Sequence, residues 1–225
     1  MTERLTLAID ESCHVSALFH LPRTARACFV FAHGAGAGME HPSMTTVAAD
    51  LAARSVATLR YQFPYMERRS RRPDPPSVCH ATVRTAVAEA ARLAPTLALI
   101  AGGRSFGGRM TSQAQAIEPL AGVKGLAFIG FPLHPAGKPS AARAEHLRDV
   151  KIPMLFLQGT RDELAQLDLL QPVVDGLGAR ATLKLLQDAD HSFHAPARTG
   201  RKDADVRAEM LDALVTWIEQ VIHTP

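Results

Sequence analysis

The stretch Ala101-Gly102-Gly103-Arg104-Ser105-Phe106-Gly107-Gly108 decides the reading of this chain. It follows the apolar run Thr96 to Ile100, which reads as a strand, and precedes a helical pattern from Phe106 to Ile117. A serine with glycines two residues before and two after it, set between a strand and a helix, has the layout of a nucleophile elbow, G-x-S-x-G. The turn is sharp enough to lift the serine hydroxyl clear of the sheet. Side chains at Gly103 and Gly107 would obstruct it. Five residues alone are weak evidence; their place between a strand and a helix gives them weight.

Working outward, the elbow sits in a regular alternation. Leu5 to Ile9 and Val15 to Phe19 alternate as half-buried strands and are expected to pair as a hairpin. Ala27 to Ala32 is continuously apolar, as a strand covered on both faces should be. A helix is expected from Pro42 to Arg54, a strand from Val56 to Tyr61, a proline- and arginine-rich loop from Phe63 to Pro76 and a helix from Val78 to Leu93. Beyond the elbow come strands at Val123 to Gly130, Pro153 to Gln158 and Thr182 to Gln187. Short helices are expected at Ala141 to Leu147 and Leu164 to Leu170. A terminal helix from Asp203 to Ile222 carries Leu211, Leu214, Val215, Ile218 and Ile222 on one stripe. Strands alternating with helices imply a mostly parallel sheet covered on both faces. No linker or repeat divides the chain, so a single domain over residues 1–225 is expected. The 22 residues between Gly130 and Pro153 are too few for a large cap.

A serine hydroxyl is a poor nucleophile at neutral pH. It needs a histidine to take its proton and a carboxylate to orient that histidine. Asp162 follows the strand that ends at Gln158, and His191 follows the last strand. The order Ser105, Asp162, His191 is the α/β-hydrolase order, and all three fall past the C-terminal ends of strands, where parallel sheets gather their sites. Glu163 and Asp190 compete with Asp162, and His194 competes with His191. Oxyanion donors are assigned to the backbone N–H groups of Phe106, directly after the nucleophile, and of Ala35, in the loop His33-Gly34-Ala35-Gly36-Ala37-Gly38. His33 is read as a support of that loop rather than a base. Phe63, Tyr65, Met66, Leu133 and Phe193 are candidates to line the substrate pocket, with the core as the competing destination for each.

The motifs His33-Gly34-Ala35-Gly36-Ala37-Gly38, Arg60-Tyr61-Gln62-Phe63-Pro64-Tyr65, Gly103 to Arg109, Gln158-Gly159-Thr160-Arg161-Asp162 and Asp190-His191-Ser192-Phe193 together resemble those of small α/β-hydrolases near the dienelactone hydrolases. Within that group the chain is similar to a capless bacterial set whose eukaryotic relatives include a chromatin-complex subunit and a testis-expressed protein. The resemblance runs from about residue 12 to the end. Dienelactone hydrolases carry a cysteine nucleophile, and here Ser105 stands in its place. The resemblance implies an α/β-hydrolase fold and hydrolase chemistry, and no particular substrate.

The expected activity is hydrolysis of a small ester or thioester through an acyl-enzyme intermediate. Acyltransferase, peptidase and perhydrolase readings share the same residues, and a non-catalytic interaction protein on a hydrolase scaffold is the alternative from another class. No cofactor or metal is expected. The triple glycine of residues 34–38 fails the dinucleotide fingerprint, because Met39 stands where the third glycine is needed. The cluster Asp188, Asp190, His191, His194 lacks a zinc-protease signature. Three cysteines without C-x-x-C argue for a reducing compartment, and no apolar run reaches membrane length, so a cytoplasmic protein is expected. A formal net charge of +3 is too small to argue for nucleic acid. Arg68, Arg69, Arg71 and Arg72 read as a solvated loop. Arg104 and Arg109 flank the nucleophile in sequence and would favour an anionic substrate.

Overall fold

A computed structural model describes residues 2–223. Among the described residues, eight strands form one sheet in the order β1-β2-β4-β3-β5-β6-β7-β8. They are β1 (Thr2–Ala8), β2 (His14–His20), β3 (Ala27–Ala32), β4 (Val56–Tyr61), β5 (Ala98–Arg104), β6 (Val123–Ile129), β7 (Met154–Gly159) and β8 (Ala181–Leu186). The first two pair antiparallel, and β2 also runs antiparallel to β4. From β4 across to β8 every pairing is parallel.

The helices are α1 (Pro42–Ala53), α2 (Pro64–Glu67), α3 (Pro76–Leu93), α4 (Phe106–Ile117), α5 (Leu167–Leu177) and α6 (Asp203–His223). One face of the sheet packs against α1 and α6, around Phe29, Phe31, Met44, Leu51, Leu211 and Leu214. The other face packs against α3, α4 and α5, around Val30, Leu59, Val83, Met110, Phe128 and Phe156. Fully burying one such leucine or phenylalanine is worth roughly 1.5–3 kcal/mol. This is an α/β-hydrolase architecture with helices on both faces. Residues 130–153 carry only a 3₁₀ segment, Ala142–Asp149, and no large cap.

Three departures from the sequence reading have physical causes. The strand expected at Thr96 to Ile100 begins at Ala98 and runs on through Gly102 and Gly103 to Arg104. Those glycines belong to the sheet: a β-carbon on Gly102 would stand 1.9 Å from the Ala127 carbonyl oxygen. The loop expected over Phe63 to Pro76 contains the single turn α2, initiated by Pro64 at its first position. The helix expected at Leu164 to Leu170 instead spans Leu167–Leu177, with Pro172 inside it. Residues 162–165 are tied into a turn by Asp162, which delays its start.

The sheet order sets the place of the site. The chain leaves β3 for β4 on one side and then crosses back from β4 to β5 on the other side of β3. Ala32 lies in register with Gly103, so the loops after β3 and β5 emerge side by side at the C-terminal edge.

Candidate active site

Ser105 caps α4 with φ 48° and ψ −117°, a left-handed conformation that costs a non-glycine residue on the order of 1–3 kcal/mol. The surroundings enforce it. The Ser105 N–H donates to the Ile129 carbonyl at 3.0 Å, and its own carbonyl accepts from Arg109 N–H at 3.2 Å. A β-carbon on Gly103 would stand 2.5 Å from the Ala32 carbonyl oxygen. One on Gly107 would stand 2.5 Å from that of His33. The two glycines let α4 sit down against the end of β3, and this close approach turns the serine outward.

His191 Nε2 lies 2.8 Å from Ser105 Oγ, and His191 Nδ1 lies 2.7 Å from Asp162 Oδ2. Asp162 is buried, whereas Ser105 and His191 are half-exposed. Its carboxylate is fully engaged: Oδ1 accepts from Leu164 N–H at 2.8 Å, and Oδ2 accepts from Gln158 Nε2 as well as from the histidine. The Gln158 oxygen in turn accepts from Phe131 N–H at 2.9 Å. With Oδ2 accepting at Nδ1, His191 carries its proton there and presents Nε2 as an acceptor to the serine.

The competing residues are placed elsewhere. Glu163 is exposed. Asp190 accepts from the N–H groups of Ser192 and His194 and so shapes the loop that carries His191. His194 points to Asp203, with Nδ1 3.0 Å from its carboxylate. Among the described residues no three His, Cys, Asp or Glu side chains gather as a metal site.

The loop after β3 lies against the serine: a β-carbon on Gly34 would stand 3.9 Å from Ser105 Cβ. Its backbone is held at several points. His33 is buried, and its Nε2 accepts from Phe63 N–H at 3.0 Å, which leaves Nδ1 to donate to the Gly34 carbonyl at 2.8 Å. That carbonyl shares a trans peptide plane with the Ala35 N–H, so fixing the one orients the other. Tyr65 OH donates to the Ala35 carbonyl at 2.8 Å and fixes the next plane. Gln62 accepts from Met39 N–H, and the buried Arg60 donates to the Met39 carbonyl. Phe106 opens α4, so its N–H has no acceptor within the helix. Burial pushes the His33 pKa down to about 4, so this clamp stays neutral at ordinary pH.

The expected pocket lining needs correction. Phe63, Tyr65 and Leu133 are fully buried, and Met66 is half-buried against the core. α2 turns Phe63 and Tyr65 inward, where their rings meet His33 at 5.0 and 6.0 Å and pack edge-on to Phe106. They form the floor under the loop. Of the five, Phe193 lines a cleft. The hollows beside Ser105, His191 and Asp162 differ in size, and one of about 590 Å³ is lined by Thr160, Arg161, Asp162 and Glu163 among others. A second of about 270 Å³ is lined by Arg161, Glu163, Leu164, Asp190, His191 and Ser192. Another of about 240 Å³ includes Arg104, Ser192 and Phe193. A further hollow of about 570 Å³, between the 142–149 segment and α5, is lined by none of Ser105, Asp162 and His191. The reading of residue types missed Gln158 as the carboxylate's second partner and the Tyr65 hydroxyl as a loop clamp. The Tyr65 contact spans 30 residues and leaves no spacing signal, and the Gln158 contact, though only four residues long, crosses from a strand end into a loop where no spacing rule pairs side chains.

The alpha/beta hydrolase domain family matches residues 25–219. Among solved structures, the chain is similar to a dienelactone hydrolase from Anabaena variabilis at 18% identity, with 98% of each chain covered and a TM-score of 0.79. It is similar to an α/β serine hydrolase without lid from Xanthomonas campestris at 21% identity, with 100% of this chain and 97% of that one covered and a TM-score of 0.74. The esterase domain of a Rhodothermus marinus protein matches at 17% identity over 98% of each chain, with a TM-score of 0.74. At these identities the structural likeness is one of fold; the family match over residues 25–219 carries the assignment. The chain belongs to the alpha/beta hydrolase domain family.

Proposed function

We propose that this protein is a serine hydrolase acting on a small ester or thioester, with Ser105 as nucleophile, His191 as general base and then acid, and Asp162 as the orienting carboxylate. The observation that carries the reading is the chain of contacts from Ser105 Oγ to His191 Nε2 at 2.8 Å and from His191 Nδ1 to Asp162 at 2.7 Å, with the serine held at φ 48°. In the forward step His191 Nε2 takes the hydroxyl proton as Oγ attacks the substrate carbonyl carbon. The carbonyl oxygen takes up negative charge and is met by the N–H groups of Ala35 and Phe106. The intermediate collapses, the bond to the alcohol or thiol breaks, and the histidine returns the proton to that leaving group. Water, activated by the same Nε2, then cleaves the acyl-serine ester. No cofactor enters this scheme.

The neighbours described as a dienelactone hydrolase, a lidless serine hydrolase and an esterase domain support the same chemistry. Among the described residues no helix is long and apolar enough to cross a membrane, and Cys13, Cys28 and Cys79 are unpaired. Both accord with a cytoplasmic enzyme meeting a small-molecule substrate.

The test is labelling by a fluorophosphonate probe, followed by an ester and thioester panel, for the wild type and Ser105→Ala. A stoichiometric label that disappears in the variant is expected. An unlabelled wild type that is correctly folded would overturn the reading in favour of a scaffold without catalysis.

A further inference from the structure

Arg104 immediately precedes the nucleophile, and the scheme above gives it no task. Arg104 is half-buried and lines the 240 Å³ cleft together with Ser192, Phe193, Asp203 and Arg207. Ser105 and His191 do not themselves line the cleft, but the chain neighbour of each does: Arg104 adjoins Ser105, and Ser192 adjoins His191. The cleft's volume corresponds to about eight waters, enough for a short chain.

The charges on its walls are not equivalent. Arg207 is paired with Asp50 at 2.9 Å. Asp203 is paired with His194 at 3.0 Å and also accepts from Ala195 N–H. Arg104 makes no ion pair with a carboxylate among the described residues. Its guanidinium lies 6.0 Å from the centre of the Phe193 ring, and Asp190 and Asp162 attract it without forming an ion pair. Enclosure of the cation opposes its charge, and an apolar ring face offers only weak compensation. A carboxylate entering the cleft would supply the bidentate partner that the fold withholds. Arg109, on the other flank of the serine, lies 5.7 Å from the Phe106 ring and does not line this cleft.

We propose that the cleft is a subsite for a carboxylate on the substrate, held by Arg104, so that the preferred ester or thioester carries a free carboxylate a short chain away from the scissile bond. This rests on the serine-hydrolase reading and names its substrate class. The carboxylate can belong to the acyl part or to the alcohol part, and the experiment separates the two.

The experiment compares kcat/KM for matched pairs of esters of equal length. One pair is an aryl hemiglutarate against its methyl-capped diester; the other is an acetyl ester of a hydroxy acid against that of the corresponding alkanol. The wild type is expected to prefer the charged member of one pair by roughly tenfold or more, chiefly through KM. The pair that responds tells which part carries the charge. In Arg104→Gln the ratio should fall to near one, and in Arg104→Lys it should be intermediate, because the charge survives and the planar fork does not. Arg161→Gln, in the neighbouring cleft, should keep the ratio. Should the glutamine variant fail to fold, the lysine variant and competitive inhibition of the wild type by free glutarate carry the test. A wild-type ratio near one in both pairs, a ratio that survives Arg104→Gln, or loss of the ratio in Arg161→Gln instead would each overturn the subsite. If no ester of any charge is turned over and no fluorophosphonate label forms, the hydrolase reading itself has failed.

Discussion

Two serine–histidine contacts of nearly equal length lie on α4 and its cap. Ser105 Oγ is 2.8 Å from His191 Nε2, and Ser112 Oγ is 2.7 Å from His146 Nε2. By distance alone they are twins. Their surroundings differ in every respect that matters for chemistry. Ser105 stands half-exposed on a left-handed turn, whereas Ser112 is fully buried within the helix and its hydroxyl also bonds back to the Arg109 carbonyl at 3.0 Å. Nδ1 of His191 meets a buried carboxylate, while among the described residues no carboxylate hydrogen-bonds His146. Burial, and then Arg109 and His80, push His146 down to about 4, which makes it a poor proton acceptor. On the proposed function, what would make Ser105 the nucleophile is the turn that exposes the hydroxyl and the partner behind the histidine. The contact itself is common to both.

The sharpest way to break this comparison is to remove each serine. Ser105→Ala should lower kcat by about 10⁴-fold or more. Ser112→Ala should leave the fluorophosphonate label in place. Label retained in Ser105→Ala and lost in Ser112→Ala would assign the chemistry to the wrong twin.

Next in size is a change that makes His191 resemble His146. Asp162→Asn removes the charge behind Nδ1 and favours the wrong tautomer, since an amide NH₂ facing Nδ1 would leave Nε2 protonated toward the serine. A fall in kcat of about 10³–10⁴-fold is expected, with KM little changed. A loss under tenfold would show that the carboxylate is not what separates the two pairs.

That separation was legible in the sequence only on one side. The elbow, the carboxylate and the histidine announce themselves because each follows a strand end, and the parallel alternation fixes their order around the sheet. Ser112 and His146 carry no such signature: a helix-interior serine meets a histidine 34 residues later only through packing. The same holds for Tyr65. Its aromatic body marks it equally for a pocket wall or a core, and only the inward turn of α2 puts its hydroxyl on the Ala35 carbonyl. Elements read from periodicity came out well, and those that failed were local. Pro172 inside α5 breaks the helical pattern without breaking the helix, and two sheet glycines masked the end of β5.

His33 and His146 set a stability profile in acid. His33 is held at about 4 in the folded protein against about 6.5 when unfolded, and burial is the cause. The unfolded chain thus binds more protons between these values. This contribution is fully present above pH 6.5 and is lost as pH falls toward 4. At 1.36 kcal/mol per unit it amounts to about 3 kcal/mol for His33. His146 shifts the same way and adds a smaller part, since it is half-exposed. Urea unfolding at pH 7, 5.5 and 4.5 should show the decline, and His146→Gln should flatten it. A profile that is level across this window would mean that neither ring is buried as neutral imidazole.

The smallest effect bears most directly on the comparison. Ser112→Ala deletes a hydroxyl that satisfies His146 Nε2 and leaves a ring nitrogen with at best a water in its place. The hollow beside it, about 430 Å³ and lined by His80, Gln113 and His146, gives water a route to the ring, so the penalty should stay near 1 kcal/mol. The hydroxyl's other bond, to the Arg109 carbonyl, only duplicates an acceptor already used by the helix and costs little to lose. Unfolding midpoints should therefore move slightly while kcat/KM on any ester stays within about twofold. A larger kinetic effect would mean that α4 transmits strain from Ser112 to the turn at Ser105, seven residues and two helical turns away. The two contacts would then be parts of one device and not an active pair beside an inert one.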